Sequence, residues 1–434
     1  MAHKDPMNRP NVLFISPQYP PEMNGFTRGL AEVGARVWGL ADGHVHSVPQ
    51  HVRDYLDGYI QVSLQRPDAV LDAVHAEMRR TGVRFDRIEC LWEPFVELAA
   101  WLREQLGIPG MSYETAFAFR DKEAMKKRVE AAGLRVPHHA KCATGDEVRA
   151  AIHGKGKKRT GAIGYPVCIK PIAGAGSADT FRVDNDAELE AVLEKTRHVA
   201  EVSVEEFVEG EEFTFDTVCI NGRPAFYNVA QYHPRPLVAR SNEWISPIVV
   251  VLRDVHDPKY AEGVELGFRV LDAMGMGTGF THMEWYRKAN GEVVFGEIGG
   301  RSAGGHLVDQ MNWANDIDLF REWARAVTWK AFEPYGSGHY GGPDSLDRKY
   351  NCAIIFKRAL GEGRITRVEG VDAYMRRYGR HVCANALLAP GQMRRNWLQT
   401  LVSDGFIAVR HPDIGETMRM AEAAATDITL FAGG

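Results

Sequence analysis

Several features are missing from this sequence, and each absence closes off a class of function. No apolar run reaches the roughly 18 residues that a membrane helix needs, so no membrane partner is expected. The six cysteines (Cys90, Cys142, Cys168, Cys219, Cys352 and Cys383) are scattered and form no C-x-x-C pair. That removes zinc-ribbon and disulfide-framework readings and suits a reducing, cytoplasmic setting. Positive charge is not in excess: 52 Lys and Arg face 57 Asp and Glu, for a net charge of -5. No nucleic-acid partner is expected from such a balance. No G-x-G-x-x-G follows the first apolar run, so the dinucleotide fingerprint is absent. The opening residues, Met1 to Pro6, are polar and read as a loose leader rather than a signal peptide.

What is present is long enough for two to four domains. Residues 1–115 alternate short apolar runs (11–16, 36–40, 88–92) with helix-like stretches (26–33, 69–81, 95–106). Such alternation predicts an open α/β unit. Beyond it the chain changes character. A charged helix is expected over residues 121–133, closed by Gly133. Lys122 in its first turn is unfavourable against the helix dipole unless an anion joins it. Lys170 ends an apolar strand, where a lysine is costly to bury without a partner. The small residues that follow, among them Gly174, Gly176 and Ser177, can turn backbone N–H groups toward phosphate. A cluster of acids then spans residues 205–216.

Near residue 300 two apolar runs, 281–285 and 293–301, flank Lys288-Ala289-Asn290-Gly291, a hairpin turn signal. Antiparallel pairing brings Glu284 beside Glu297. Adjacent carboxylates repel unless a cation sits between them. Oxygen ligands on a rigid sheet suit Mg²⁺ held partly by phosphate. Arg301 follows and can meet an anion there.

This ordered set resembles the ATP-grasp superfamily of carboxylate–amine ligases over roughly residues 10–330. The resemblance implies an α/β (α+β) ATP-grasp fold. A Rossmann-like N-terminal domain would cover 1–115 and a two-part grasp 116–330, with a mobile lid near 142–210. A C-terminal α+β domain would cover 331–434. It also implies that Lys122 and Lys170 bind ATP phosphates, helped by Gly174, Gly176 and Ser177. Glu205, Phe207, Val208 and Glu212 would hold adenosine. Glu284 and Glu297 would hold Mg²⁺, with Mn²⁺ able to substitute. Arg301, with Lys170, would act on the transferred phosphoryl group. One position departs from the pattern: Gly299 stands where the family usually has a metal-ligating Asn, so a water or the substrate would take that place.

Within the superfamily the chain is similar to L-amino-acid ligases that make dipeptides. Arg301-Ser302-Ala303-Gly304-Gly305 fits their R-x-x-G-G strand end. Glu243 keeps an acid that helps bind the amino acid, while Ser246 stands in place of a histidine. Gly304, Gly305 and His306 are further substrate positions, and Gly305 in place of a bulky aromatic implies a roomier pocket. The partners implied are a small carboxylate and an amine, and a homodimer suits the family. Two alternatives remain: another carboxylate-activating enzyme, a carboxylase or a purine-pathway ligase, or a silent ATP-binding module. Glycine at 305, where carboxylases carry glutamate, speaks against the carboxylase. The 155–159 basic run reads as a solvated loop, and residues 233–236 as a loop over the site. Trp313, Trp323 and Trp329 are expected to pack against the grasp.

Overall fold

The computed structural model describes residues 9–154, 161–172, 180–333 and 346–434. Gly174, Gly176, Ser177 and the 155–159 basic run lie outside the described residues, as does the opening segment through residue 8.

The first unit is a four-stranded parallel sheet of Asn11–Ile15, Arg36–Ala41, Gly58–Gln61 and Arg87–Glu89, in the spatial order third, second, first, fourth. Its first strand, NVLFI, is buried almost throughout, as strands covered on both faces are. Helices Met23–Glu32, Pro67–Thr81 and Val96–Leu106 pack around it. The strand expected over 88–92 is shorter, because Glu93–Phe95 turns as a 3-10 helix around Pro94, which has no N–H to give a ladder. Gly58–Gln61 is too short to stand out as a pattern.

The largest sheet has eight strands, all antiparallel neighbours. Their order is Val293–Gly299, Gly279–Arg287, Glu211–Ile220, Arg223–His233, Ile248–Val251, Asn351–Phe356, Phe406–His411 and Val382–Asn385. Its last three strands come from the expected C-terminal domain. Ile248–Val251 pairs directly with Asn351–Phe356, so one continuous sheet crosses the boundary placed near 330. Alternating residues face opposite sides. Phe213 and Phe215 meet helix Pro258–Met274, while Val218 and Phe226 join a core with helices Leu307–Asn315 and Leu319–Trp329.

A separate four-stranded antiparallel sheet orders His139–Cys142, Val202–Glu206, Val167–Pro171 and Phe181–Val183. With helices Gly145–His153 and Asp186–Lys195 it closes over its own small core around Val167, Ile169, Leu189 and Val204. Residues 142–210 thus trace most of a compact layer facing the large sheet.

The tryptophans do more than pack on the grasp. Trp323 meets Phe14 and Phe26 of the first unit, Trp329 donates Nε1–H to the Val33 carbonyl at 2.9 Å, and Trp313 lies against Phe406. Helical spacing pointed to packing, but the partners come from the first unit and from the C-terminal part of the chain.

Candidate active site

The hairpin near residue 300 forms as its turn demands. Gly291 takes φ +90°, Lys288 and Glu292 close the turn, and the register sets Glu284 opposite Glu297. A bulge then skips Gly296: Glu284 pairs with Glu297 but Trp285 with Phe295. A Cβ on Gly296 would lie 2.8 Å from the Glu284 carbonyl oxygen, so only glycine lets the strands approach and hold the two carboxylates together.

The cleft between this hairpin and the smaller sheet collects charge of both signs. Helix Lys122–Ala131 starts at Asp121, whose side chain accepts from the Glu123 and Ala124 N–H groups. Its first turn carries Lys122, with Nζ 3.4 Å from Glu297. Lys170 Nζ, at the end of its strand, lies 3.0 Å from Glu205 and 3.8 Å from Glu297. Burial alone would raise Glu297, but Lys122 and Lys170 outweigh it and pull its carboxyl down to about 2.

Glu205 takes a different part from the one expected. Its carboxylate is bound by Lys126 Nζ at 2.5 Å as well as by Lys170. It is a buried counter-ion to two lysines; burial opposes its charge, yet the lysines hold it below the ordinary carboxylate range. Lys126 was not singled out from sequence. It lies four residues after Lys122, one helical turn on, and that spacing was the available signal.

The expected adenosine seat is occupied by a side chain. Arg235 donates from Nε to Glu212 at 3.0 Å and from Nη1 to the Val208 carbonyl at 2.8 Å. Its guanidinium also stacks on Phe207 and Tyr286, 4.8 and 4.9 Å from the ring centroids. The 233–236 loop therefore does sit over the site. Glu212 is buried near Glu284, and burial and that like charge push it up to about 7 against the pull of Arg235.

Glu284 is raised too, first by burial and then by Glu297. Its surroundings include a further pair that the sequence did not reveal. His282 Nδ1 lies 2.6 Å from the buried Asp216, and its Nε2 faces Glu284 at 3.9 Å. The Tyr232 hydroxyl donates to Glu284 at 3.4 Å. Among the described residues no set of three or more His, Cys, Asp and Glu is arranged to hold a metal. The protein offers two carboxylates, whose mutual repulsion a divalent cation would relieve, and the remaining ligands of Mg²⁺ would be phosphate and water oxygens. That donor set fits. A Cβ at Gly299 would meet only Arg301, at an ordinary 3.4 Å, so sterics do not demand glycine there.

Arg301 is held by the first unit: its Nε lies 2.7 Å from Glu93, which also binds Arg120. Burial opposes its charge, and Glu93 restores it above the usual range. Glu93 escaped the sequence reading because its partner Arg301 is 208 residues away, and Arg120 joins the site only through Glu93.

The substrate positions are less concentrated. Glu243 pairs with Arg394 on the C-terminal side and does not line the cleft, nor does Ser246. His306 pairs with Asp309 at 2.9 Å and packs on Phe406. Nothing lies within 4 Å of a Cβ at Gly304. Gly305 has φ +65°, and a Cβ there would meet Leu401 at 2.9 Å. Its glycine is thus explained by backbone and contact, not by pocket room.

A family model described as the ATP-grasp domain matches residues 163–310. An L-arginine-specific L-amino acid ligase of Bacillus subtilis is 28% identical over 258 residues, 58% of this chain and 59% of that protein. The chain thus spans less than two thirds of that relative. Among solved structures, an L-amino acid ligase from Bacillus licheniformis gives a TM-score of 0.75 at 17% identity, over 98% of this chain and 99% of the other. N5-carboxyaminoimidazole ribonucleotide synthetase from Thermotoga maritima gives 0.68 at 16%, over 98% and 100%. At those identities the structures speak for the fold alone. With the domain matched and the architecture shared from end to end, residues 163–310 form an ATP-grasp domain within a chain that has the ATP-grasp fold.

Proposed function

We propose that this protein is an ADP-forming ligase that joins a carboxylate to an amine through an acyl phosphate, with an amino acid as the carboxylate. One observation carries this reading: the paired Glu284 and Glu297 stand beside Lys122 and Lys170, both within 4 Å of Glu297. Phosphoryl transfer needs positioning and charge neutralisation more than an enzyme nucleophile, and this cleft supplies both.

A carboxylate is a poor acylating agent because its leaving group is poor. Transfer of the γ-phosphoryl group of ATP to one carboxylate oxygen gives an acyl phosphate and ADP. The amine then attacks the acyl carbon, loses a proton, and phosphate departs. Lys170 and Lys122 neutralise phosphate oxygens. Glu205 keeps Lys170 charged and aimed. Arg301, fixed by Glu93, faces the carboxylates and steadies the phosphoryl or acyl phosphate. Mg²⁺, held by Glu284 and Glu297, would withdraw charge from the phosphate oxygens. The smaller sheet acts as the lid that keeps water from the acyl phosphate. Glu212, Phe207 and Val208 receive adenosine once Arg235 has left them.

The test is phosphate release from Mg·ATP across single amino acids and pairs of amino acids. Release should require a particular acid and amine, and should fall by at least ~10²–10³-fold in Glu297→Ala with the fold intact by circular dichroism. Full turnover by Glu297→Ala would refute the assignment. Silence across the matrix, with ATP still bound, would favour a ligase for other acids or the binding-only alternative.

A further inference from the structure

A second cavity, of about 270 Å³, lies between the first unit and the large sheet. It shares no lining residue with the cleft. Arg87 and Glu89 alternate onto one face of the edge strand and both line it. Arg103, from helix Val96–Leu106, lines it as well and is 6% exposed. Arg103 donates from Nε to the Met111 carbonyl at 3.1 Å and from Nη1 to the Ile88 carbonyl. Among the described residues its Nη2 has no partner. Lys330, half-exposed, closes helix Leu319–Trp329 in a left-handed conformation, φ +51°, and its ammonium has no hydrogen-bond or ion-pair partner among the described residues. Glu89 has none either. Burial raises its carboxyl despite the attraction of Arg103 and Lys330.

Charged groups of both signs therefore face one cavity without touching each other. Direct pairing would have been the cheaper arrangement, since a charge drawn out of water without a partner is costly. A purely anionic ligand would leave Glu89 unsatisfied, and a purely cationic one would leave Arg103 and Lys330.

We propose that this cavity binds a small zwitterion, a molecule carrying an ammonium and a carboxylate a few bonds apart. The ammonium donates to Glu89, and the carboxylate accepts from Arg103 Nη2 and Lys330 Nζ. The site stands apart from the phosphoryl-transfer cleft and does not depend on the ligase reading.

Calorimetric titration of the whole protein with glycine, L-alanine and L-serine tests this, with Glu89→Gln, Lys330→Met and Glu297→Ala as variants. Binding should weaken about tenfold or more in Glu89→Gln and in Lys330→Met, and persist in Glu297→Ala. Propionate and ethylamine, each bearing half of the charge pattern, should bind at least about tenfold more weakly than L-alanine; tenfold corresponds to about 1.4 kcal/mol. Melting temperatures no lower than that of the wild type in both cavity variants would show that loss of folding is not the cause. The proposal is overturned if none of the three amino acids binds. It is also overturned if binding is lost only in Glu297→Ala, which places it in the cleft, or if Glu89→Gln and Lys330→Met bind as the wild type does.

Discussion

The cleft and the second cavity both enclose charged side chains, and they treat them in opposite ways. In the cleft each lysine meets a carboxylate: Lys126 and Lys170 at Glu205, Lys122 and Lys170 at Glu297. In the cavity Glu89 and Lys330 have no direct partner among the described residues. A paired buried charge holds a shape before any ligand arrives. An unpaired one holds a vacancy for opposite charge. Removing one member should therefore have opposite consequences in the two places.

The largest expected effect is in the cleft. Glu205→Ala leaves Lys126, 1% exposed in its side chain, and Lys170 without their counter-ion. The expected loss is about 3–5 kcal/mol of stability, read from urea unfolding. A Glu205→Met, Lys126→Met double variant should recover much of it, because an apolar pair of similar size replaces the ions. Equal unfolding midpoints for Glu205→Ala and the wild type would show that the lysines reach water instead, and the contrast between the regions would fail.

The contrast also explains which residues were legible in the sequence. Glu284 and Glu297 were, because a four-residue turn signal fixes their register locally. Lys122 and Lys170 were, because a lysine at a helix start or a strand end is costly on its own. Lys126, Glu93 and Asp216 were not, because each gains its role from a partner 66 to 208 residues along the chain. Lys126 and Glu205 are 79 residues apart, and Arg301 and Glu93 are 208 apart. The same holds for the fold. The alternating strands and helices of the first unit show in local patterns. The pairing of Ile248–Val251 with Asn351–Phe356, which carries the large sheet across the expected domain boundary, rests on strand neighbours about a hundred residues apart.

A second difference lies within the cleft, between its lysine-rich and acid-rich halves. Glu297, drawn down to about 2, stabilises the fold above the ordinary carboxylate pKa, and that contribution is lost only as pH falls toward 2. Glu212, pushed up to about 7, works the other way: its contribution is present below the ordinary value and lost as pH rises through about 7. Glu212→Gln, which cannot ionise, should therefore gain on the wild type between pH 5 and pH 8, by at most on the order of 3 kcal/mol. Thermal unfolding at the two pH values measures it, and Mg²⁺ at pH 8 should narrow the gap. A gap that shrinks as pH rises in metal-free buffer would mean that Arg235 dominates Glu212.

A smaller effect separates Arg235 from the ligand it stands in for. Arg235→Ala frees the Val208 carbonyl and Glu212, so adenosine itself should bind about tenfold more tightly, about 1.4 kcal/mol. Fluorescence titration with adenosine and with ADP distinguishes two roles. Tighter adenosine binding marks Arg235 as an occupant of the seat. Unchanged adenosine binding with weaker ADP binding would make it a phosphate ligand.

The smallest effect has the opposite sign from the first. Glu89 is disfavoured as an ion by burial, and Arg103 and Lys330 only partly compensate. Its stability contribution is fully present below the ordinary carboxylate pKa and lost as pH rises through the raised value. Glu89→Gln should therefore stabilise the ligand-free protein at pH 7, whereas Glu205→Gln, which breaks contacts at 2.5 and 3.0 Å, should destabilise it. Paired melting curves for the two variants read both signs in one experiment. The two carboxylates then differ in kind: one is kept because the fold leans on it, and the other is kept although the fold would be steadier without it. A destabilised Glu89→Gln would show that Glu89 is paired in solution, and the cavity would lose the unpaired charge on which its selectivity for a zwitterion rests.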